Sequence, residues 1–181
     1  FGKHHYFSTG AAKGNNSIGV TGVAYNCKIM PIRICDINKF VTVEDIATAF
    51  RWAAENGADV LNNSWGFTGF SRSIIHSAVK DITIKDGIGR EGKGCIVLGS
   101  SGNDDRYVIF PAAHPEVIAV GATDNYDRIW DYSTHGTELE VVAPGGKYPK
   151  WSGIFWTTDL TSLPGYNNSI SNLSRDYTDD F

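Results

Sequence analysis

The sequence predicts an α/β protein built on a doubly wound, mainly parallel β-sheet with helices on both faces. Three observations carry that expectation. Short apolar runs of strand length alternate with stretches of helical periodicity along the chain. The run Cys95-Ile96-Val97-Leu98-Gly99 is apolar without alternation, as a strand buried on both faces requires. Gly57 and Pro144-Gly145 break two of these runs, so those elements are sharply bounded.

The elements follow in order. Gly10 to Asn16 is a small-residue, polar turn region. The run Cys27 to Cys35 alternates apolar and polar residues as a half-buried strand does. Thr42-Val43-Glu44-Asp45 opens a helix, with Thr42 as N-cap and Asp45 at the capping-box position; Ile46, Phe50 and Ala53 share one face and Gly57 stops it. Ala58 to Asn63 is the next strand, Ser73 to Lys85 a second amphipathic helix, and Asp86 to Gly94 a polar, Gly-rich loop. Cys95 to Gly99 and Val117 to Gly121 complete a βαβ rhythm. Glu138 to Ala143 alternates until Pro144-Gly145 breaks it, which is again strand behaviour.

Composition bounds the function. At 181 residues, 41% hydrophobic and 20% charged, the chain suits one globular domain able to bury roughly 70% of its unfolded surface. A formal net charge of -4, with no Lys/Arg run, supplies no electrostatic footprint for nucleic acid or an anionic membrane. No apolar stretch approaches the roughly 18 residues that span a bilayer. Phe1-Gly2-Lys3-His4-His5 has neither a signal-peptide pattern nor an initiator Met, so the chain reads as a piece of a longer one. Cys27, Cys35 and Cys95 lack the short pairings of metal sites. They read as buried free thiols, or as one disulfide with a thiol left over.

Parallel sheets place ligands at the carboxyl ends of their strands. Two such ends are distinctive here: Ser64-Trp65-Gly66 and Ser100-Ser101-Gly102-Asn103, each an abrupt change to small and amide residues. Gly102 lets backbone approach a ligand, and Asn103 can aim one amide donor where negative charge develops, an arrangement worth roughly 3 to 4 kcal/mol of barrier. Asn103 beginning an Asx turn is the plainer reading of the same residues. Trp65 reads equally as a core aromatic or a substrate contact.

Several segments in order resemble the subtilisin-like serine proteases. They are Gly14-Asn15-Asn16-Ser17-Ile18-Gly19-Val20-Thr21-Gly22-Val23-Ala24, Glu55 to Gly66, Ser101-Gly102-Asn103, and the run from Phe110-Pro111-Ala112 through Val117 to Thr123 and on to Ala143-Pro144-Gly145. The resemblance runs from about residue 11 to the end. It implies Asn103 as oxyanion-hole asparagine, and Ser64, Trp65, Gly66, Ser100, Ser101 and Gly102 as walls of the primary specificity pocket, the first three also pairing with extended substrate backbone. It further implies a structural calcium ion held by Gly14, Ile18 and Val20 carbonyls and the Asn16 side chain, hard oxygen ligands of the kind calcium takes.

The family's triad is Asp, then His in a His-Gly-Thr that opens a helix, then Ser in a Gly-Thr-Ser-x-Ala; Ser attacks, His carries the proton and Asp fixes the imidazole. His135-Gly136-Thr137 has the right letters but the wrong setting, because a strand pattern follows it and it lies after Asn103 rather than before. It falls instead in a Tyr-Ser-x-x-Gly pattern, Tyr132 to Gly136. Aligning Ala11 to Asn16 without gaps puts Gly2 where the base belongs. His4, or secondarily His5, reaches that place by deleting residues inside a helix, a rotation of roughly 100° each. Residues 1-181 thus read as a partial peptidase domain without the Asp and Ser segments.

The expected whole is a secreted, monomeric serine endopeptidase acting on polypeptides, with the fragment itself inactive. A pseudoprotease or peptide-binding domain with a degraded triad is the alternative, and a plain structural α/β domain the third.

Overall fold

The computed structural model describes residues 10–17, 20–34, 41–67, 73–104 and 106–146, together with the backbone pairs 157–158 and 177–178. Two compact units divide the chain, one of residues 1–29 and 145–181, the other of residues 30–144. The larger carries the sheet.

Helix α1 (Val43–Glu55) begins as the sequence predicts. Thr42 Oγ1 accepts the Asp45 N–H at 3.1 Å and Asp45 Oδ2 accepts the Thr42 N–H at 3.1 Å, so two orphan donors are satisfied reciprocally. Glu44 and Asp45 add negative charge at the positive end of the helix dipole. Its apolar stripe, Ile46, Ala47, Phe50, Ala53 and Ala54, is buried. The helix ends in a Schellman arrangement, with the Ala58 N–H on the Ala53 carbonyl, the Gly57 N–H on the Ala54 carbonyl and Gly57 at φ 90°.

Helix α2 (Ser73–Thr83) buries Ile75, Ala78, Val79 and Ile82 and packs on α1. An ion pair spans the two helices, Arg51 Nη2 lying 2.7 Å from Asp81 Oδ2.

Strands β1 (Val60–Asn63), β2 (Ile96–Ser100), β3 (Ile118–Thr123) and β4 (Leu139–Pro144) form one all-parallel sheet in that order. Alternate residues Leu61, Asn63, Val97, Gly99, Ala119 and Gly121 are buried on one face. Leu61 and Val97 meet the α1 and α2 stripes there in the main core. Both described helices therefore cover the same face, while Val60, Ile96 and Ile118 on the other remain exposed. A bulge between Ala119 and Val120 leaves Glu140 without a strand partner, and its carboxylate takes up the Ala119 N–H.

Two expectations are corrected. Residues 27–34 form no strand, and Lys28, Ile29, Pro31, Ile32 and Arg33 are exposed, though Met30 touches the core. Alternation specifies faces, but a strand also needs a neighbour's ladder, and Pro31 has no N–H to offer one. Cys27 is exposed rather than buried, while Cys95 is buried as expected with its thiol donating to the Ala58 carbonyl at 3.0 Å. Both are free thiols; Cys35 lies outside the described residues.

The other unit adds a loop whose arms are clamped by Gly22 N–H to Ala12 carbonyl (2.9 Å) and Ala24 N–H to Gly10 carbonyl (2.8 Å). Thr157–Thr158 pairs antiparallel with Tyr177–Thr178, as β5 and β6.

Candidate functional site

The parallel register pairs Asn63 with Gly99, so β1 and β2 end side by side and release Ser64-Trp65-Gly66 and Ser100-Ser101-Gly102-Asn103 at the same edge. Buried Asn63 ties the two ends together, its amide donating to the Leu98 carbonyl at 3.0 Å. Asn62 donates to Ser64 Oγ at 3.1 Å. The residue types at the strand ends are thus locked by hydrogen bonds rather than by packing alone.

Each predicted residue of the two strand ends has a definite place. Ser64, Gly66 and Asn103 are exposed, Ser100 and Gly102 half-buried, and Ser101 buried. Ser101 donates its N–H to the Val120 carbonyl at 3.0 Å. Trp65 turns inward, 6.2 Å from the Phe50 ring and stacked 6.0 Å from Phe67 beside the main core. Asn103 has no hydrogen bond to any described residue, so it makes no Asx turn among them and its amide is available.

Two neighbours carry no signal in the local sequence, yet build this site. Thr134 is fully buried beneath the turn: its N–H donates to the Gly102 carbonyl at 3.2 Å and its hydroxyl to Asp104 Oδ1 at 3.2 Å, bracketing Asn103 from both sides. Ser133 beside it accepts the Ala122 N–H at 2.9 Å, anchoring the segment to β3. The Tyr-Ser-x-x-Gly pattern marked this segment without indicating what it supports. Ile109 is the second. Its N–H donates to the Ser101 carbonyl at 3.1 Å, and the next carbonyl, that of Phe110, accepts the Phe67 N–H at 3.1 Å. The extended segment at 109–110 therefore spans the gap between the two strand ends.

His135 is exposed, and β4 rather than a helix begins at Leu139, as its sequence setting indicated. Two other histidines pack together beside Phe110: the His76 and His114 rings lie 4.5 Å apart at a tilt of 46°, and Phe110 lies 5.2 Å from His76. His114 accepts the Glu116 N–H at Nδ1 (3.0 Å), so this ring nitrogen serves the fold. Burial pushes its pKa down, the neighbouring His76 adds to this, and Glu116 partly offsets it. Burial likewise raises the Cys95 thiol and, with Asp131, the Tyr132 hydroxyl.

Gly14, Asn16 and Val20 belong to the clamped loop, where Asn15 and Ser17 take left-handed φ of 55° and 60°. Ile18 lies outside the described residues, as do His4 and His5. Carbonyl and amide oxygens are hard donors of the type calcium takes; no group of three or more His, Cys, Asp or Glu that could hold a metal occurs among the described residues.

A parallel sheet with its helices on α/β connections, and small and amide residues following two adjacent strand ends, defines an α/β protein with a candidate site at that edge. The chain belongs to the subtilase family, whose sequence model matches residues 4–179. It is 38% identical over 142 residues to the thermophilic serine proteinase of a Bacillus species (strain AK1), a match covering 78% of this chain and 33% of that protein. It is 32% identical over 198 residues to the calcium-dependent protease of Trichormus variabilis, covering 98% of this chain and 29% of the relative. A solved structure of proteases from Pseudoalteromonas arctica PAMC 21717 superposes with a TM-score of 0.72 at 28% identity, over 85% of this chain and 47% of the other. The chain thus spans about a third of the length of these curated relatives.

Proposed function

We propose that these residues form the substrate side of a serine endopeptidase domain, in which Asn103 is the oxyanion-hole donor and Ser64 to Gly66 and Ser100 to Gly102 are the walls that receive the substrate. The observation that supports this most directly is the exposed Asn103 amide, unbonded among the described residues and bracketed by buried Thr134. A donor that needs no reorganisation stabilises charge when the tetrahedral intermediate forms. The attacking Ser and orienting Asp belong to motifs that these 181 residues do not contain, and His4, with His5 second, is a candidate for the base outside the family's His-Gly-Thr pattern. The 181 residues alone do not hydrolyse peptides.

Calcium, held by Gly14, Ile18 and Val20 carbonyls and Asn16, has the structural role of fixing the clamped loop. The substrates are polypeptides, as the proteases among the relatives suggest, and the setting is extracellular, as the family resemblance implies. No helix among the described residues is long and apolar enough to cross a membrane. A peptide-binding domain with a degraded triad is the second reading, favoured by the departure of Lys3 to Gly10 from the family's His-Gly-Thr pattern.

The test joins the chain to flanks that carry the Asp and Gly-Thr-Ser-x-Ala motifs. Fluorophosphonate labelling of the added Ser, with Asn103→Leu lowering kcat by about 10²- to 10³-fold at nearly constant KM, supports the endopeptidase reading. A rise in KM alone makes Asn103 a binding residue, and no labelling favours the pseudoprotease. Labelling of a serine in the 181 residues alone overturns the reading.

A further inference from the structure

Between the two strand ends the structure holds a side chain rather than an open slot. A Cβ placed on Gly66 falls 2.3 Å from Ile109 Cδ1 and 2.7 Å from its Cγ1. One placed on Gly102 falls 3.5 Å from Ile109 Cγ1. Ile109 therefore occupies the space beside Gly66 that a Cβ would need, and reaches toward Gly102 on the other wall. Its neighbours Val108 and Phe110 are buried while Ile109 is half-buried, the alternation of an extended segment that turns one residue outward between two anchors.

The side chain has little freedom to leave. Its own N–H is bonded to the Ser101 carbonyl on one wall, and the Phe110 carbonyl is bonded to the Phe67 N–H beyond the other. Moving the backbone breaks both bonds and unseats Phe110, which is 0% exposed. Rotating the side chain is also restricted, because a β-branched residue is stiff at χ1.

Resting on the reading of these walls as the substrate-receiving cleft, we infer that Ile109 closes the floor of the slot and restricts the residue whose side chain enters it to Gly, Ala or Ser. An aromatic side chain has to bury 150–250 Å² to gain its full contribution, and the volume it needs is the volume Ile109 fills. The chemical class of substrate is then a polypeptide cleaved, or held, after a small residue.

The experiment is peptide binding, which requires no triad. Dye-labelled tetrapeptide acids that differ only in a C-terminal Ala or Phe are titrated into the intact protein and followed by anisotropy. The Ala-ended peptide binds more tightly by on the order of 10- to 200-fold, the range that one or a few misfitted methylenes command in an apolar pocket. Ile109→Gly reverses the order. Ile109→Val, which removes only the methyl nearest Gly66 and keeps the branched Cβ, falls between and covers the case in which the glycine variant does not fold. Equal affinity for the two peptides in the unaltered protein, or an Ala/Phe ratio unmoved by either variant, overturns the role of Ile109 and leaves the cleft reading standing. Binding of neither peptide to any of the three proteins removes the cleft reading, and the inference with it.

Discussion

Gly102→Ala probes the turn that presents Asn103, and its cost follows from two features of that position. Gly102 has φ +122°, a conformation essentially reserved for glycine, and forcing an L-residue into such a region costs about 1–3 kcal/mol. The new Cβ also falls 2.8 Å from Thr134 Oγ1 and 3.4 Å from Thr134 Cβ. Thr134 cannot step back freely, because it is 0% exposed and its N–H and hydroxyl hold Gly102 and Asp104. Overpacking of this kind adds about 1–3 kcal/mol, for a total of about 2–6 kcal/mol. Gly57→Ala is the internal control. Gly57 has φ +90° but nothing within 4 Å of its added Cβ, so it carries only the conformational term, about 1–2 kcal/mol. With a urea slope of about 2 kcal/mol/M, the midpoint followed by tryptophan fluorescence falls about 1–3 M for Gly102→Ala and about 0.5–1 M for Gly57→Ala. Equal shifts would show that Thr134 is no wall and that the Asn103 turn is not packed from below.

Four further outcomes are expected. His114 has a folded pKa below its ordinary value, so its contribution is complete above about pH 6.5 and is lost as pH falls, when the unfolded chain takes up the proton first; the urea midpoint of the unaltered protein drops between pH 7.5 and 5 more than that of His114→Asn, and parallel profiles refute the assignment. Exposed Cys27 reacts with iodoacetamide at pH 8 in the folded protein while Cys95, buried and with its pKa raised, reacts only in denaturant; peptide mapping that finds Cys95 modified as fast as Cys27 contradicts the burial. Calcium at 100 times its dissociation constant stabilises the protein by about 2.7 kcal/mol, and a thermal midpoint indifferent to calcium and to chelator removes the proposed loop site. His135→Ala, at an exposed position ahead of β4, changes stability by no more than about 0.5 kcal/mol and leaves activity of a reconstituted domain intact; collapse of that activity at an unchanged midpoint returns His135 to the catalytic base.

Local order was legible in the sequence wherever one segment contains its own instructions. The capping box at Thr42 and Asp45, the face shared by Ile46, Phe50 and Ala53 and the stop at Gly57 require no partner beyond a turn or two, and all were realised in α1. The apolar runs of β1, β2 and β3 and the alternating run of β4 also announced themselves, with ends shifted by one or two residues. The amide and glycine residues that follow β1 and β2 marked the candidate cleft, because a parallel sheet brings adjacent strand ends to one edge. What only the tertiary structure decided are relations between segments distant in the chain. Thr134 lies thirty residues from the Asp104 it holds. Ile109 fills its slot because strand register sets Gly66 and Gly102 on either side of it, a spacing absent from the local pattern of Val108-Ile109-Phe110. The run 27–34 alternates like a strand yet forms none, and Cys27 is exposed, because periodicity assigns side chains to faces while the ladder and the burial come from a neighbour elsewhere in the chain.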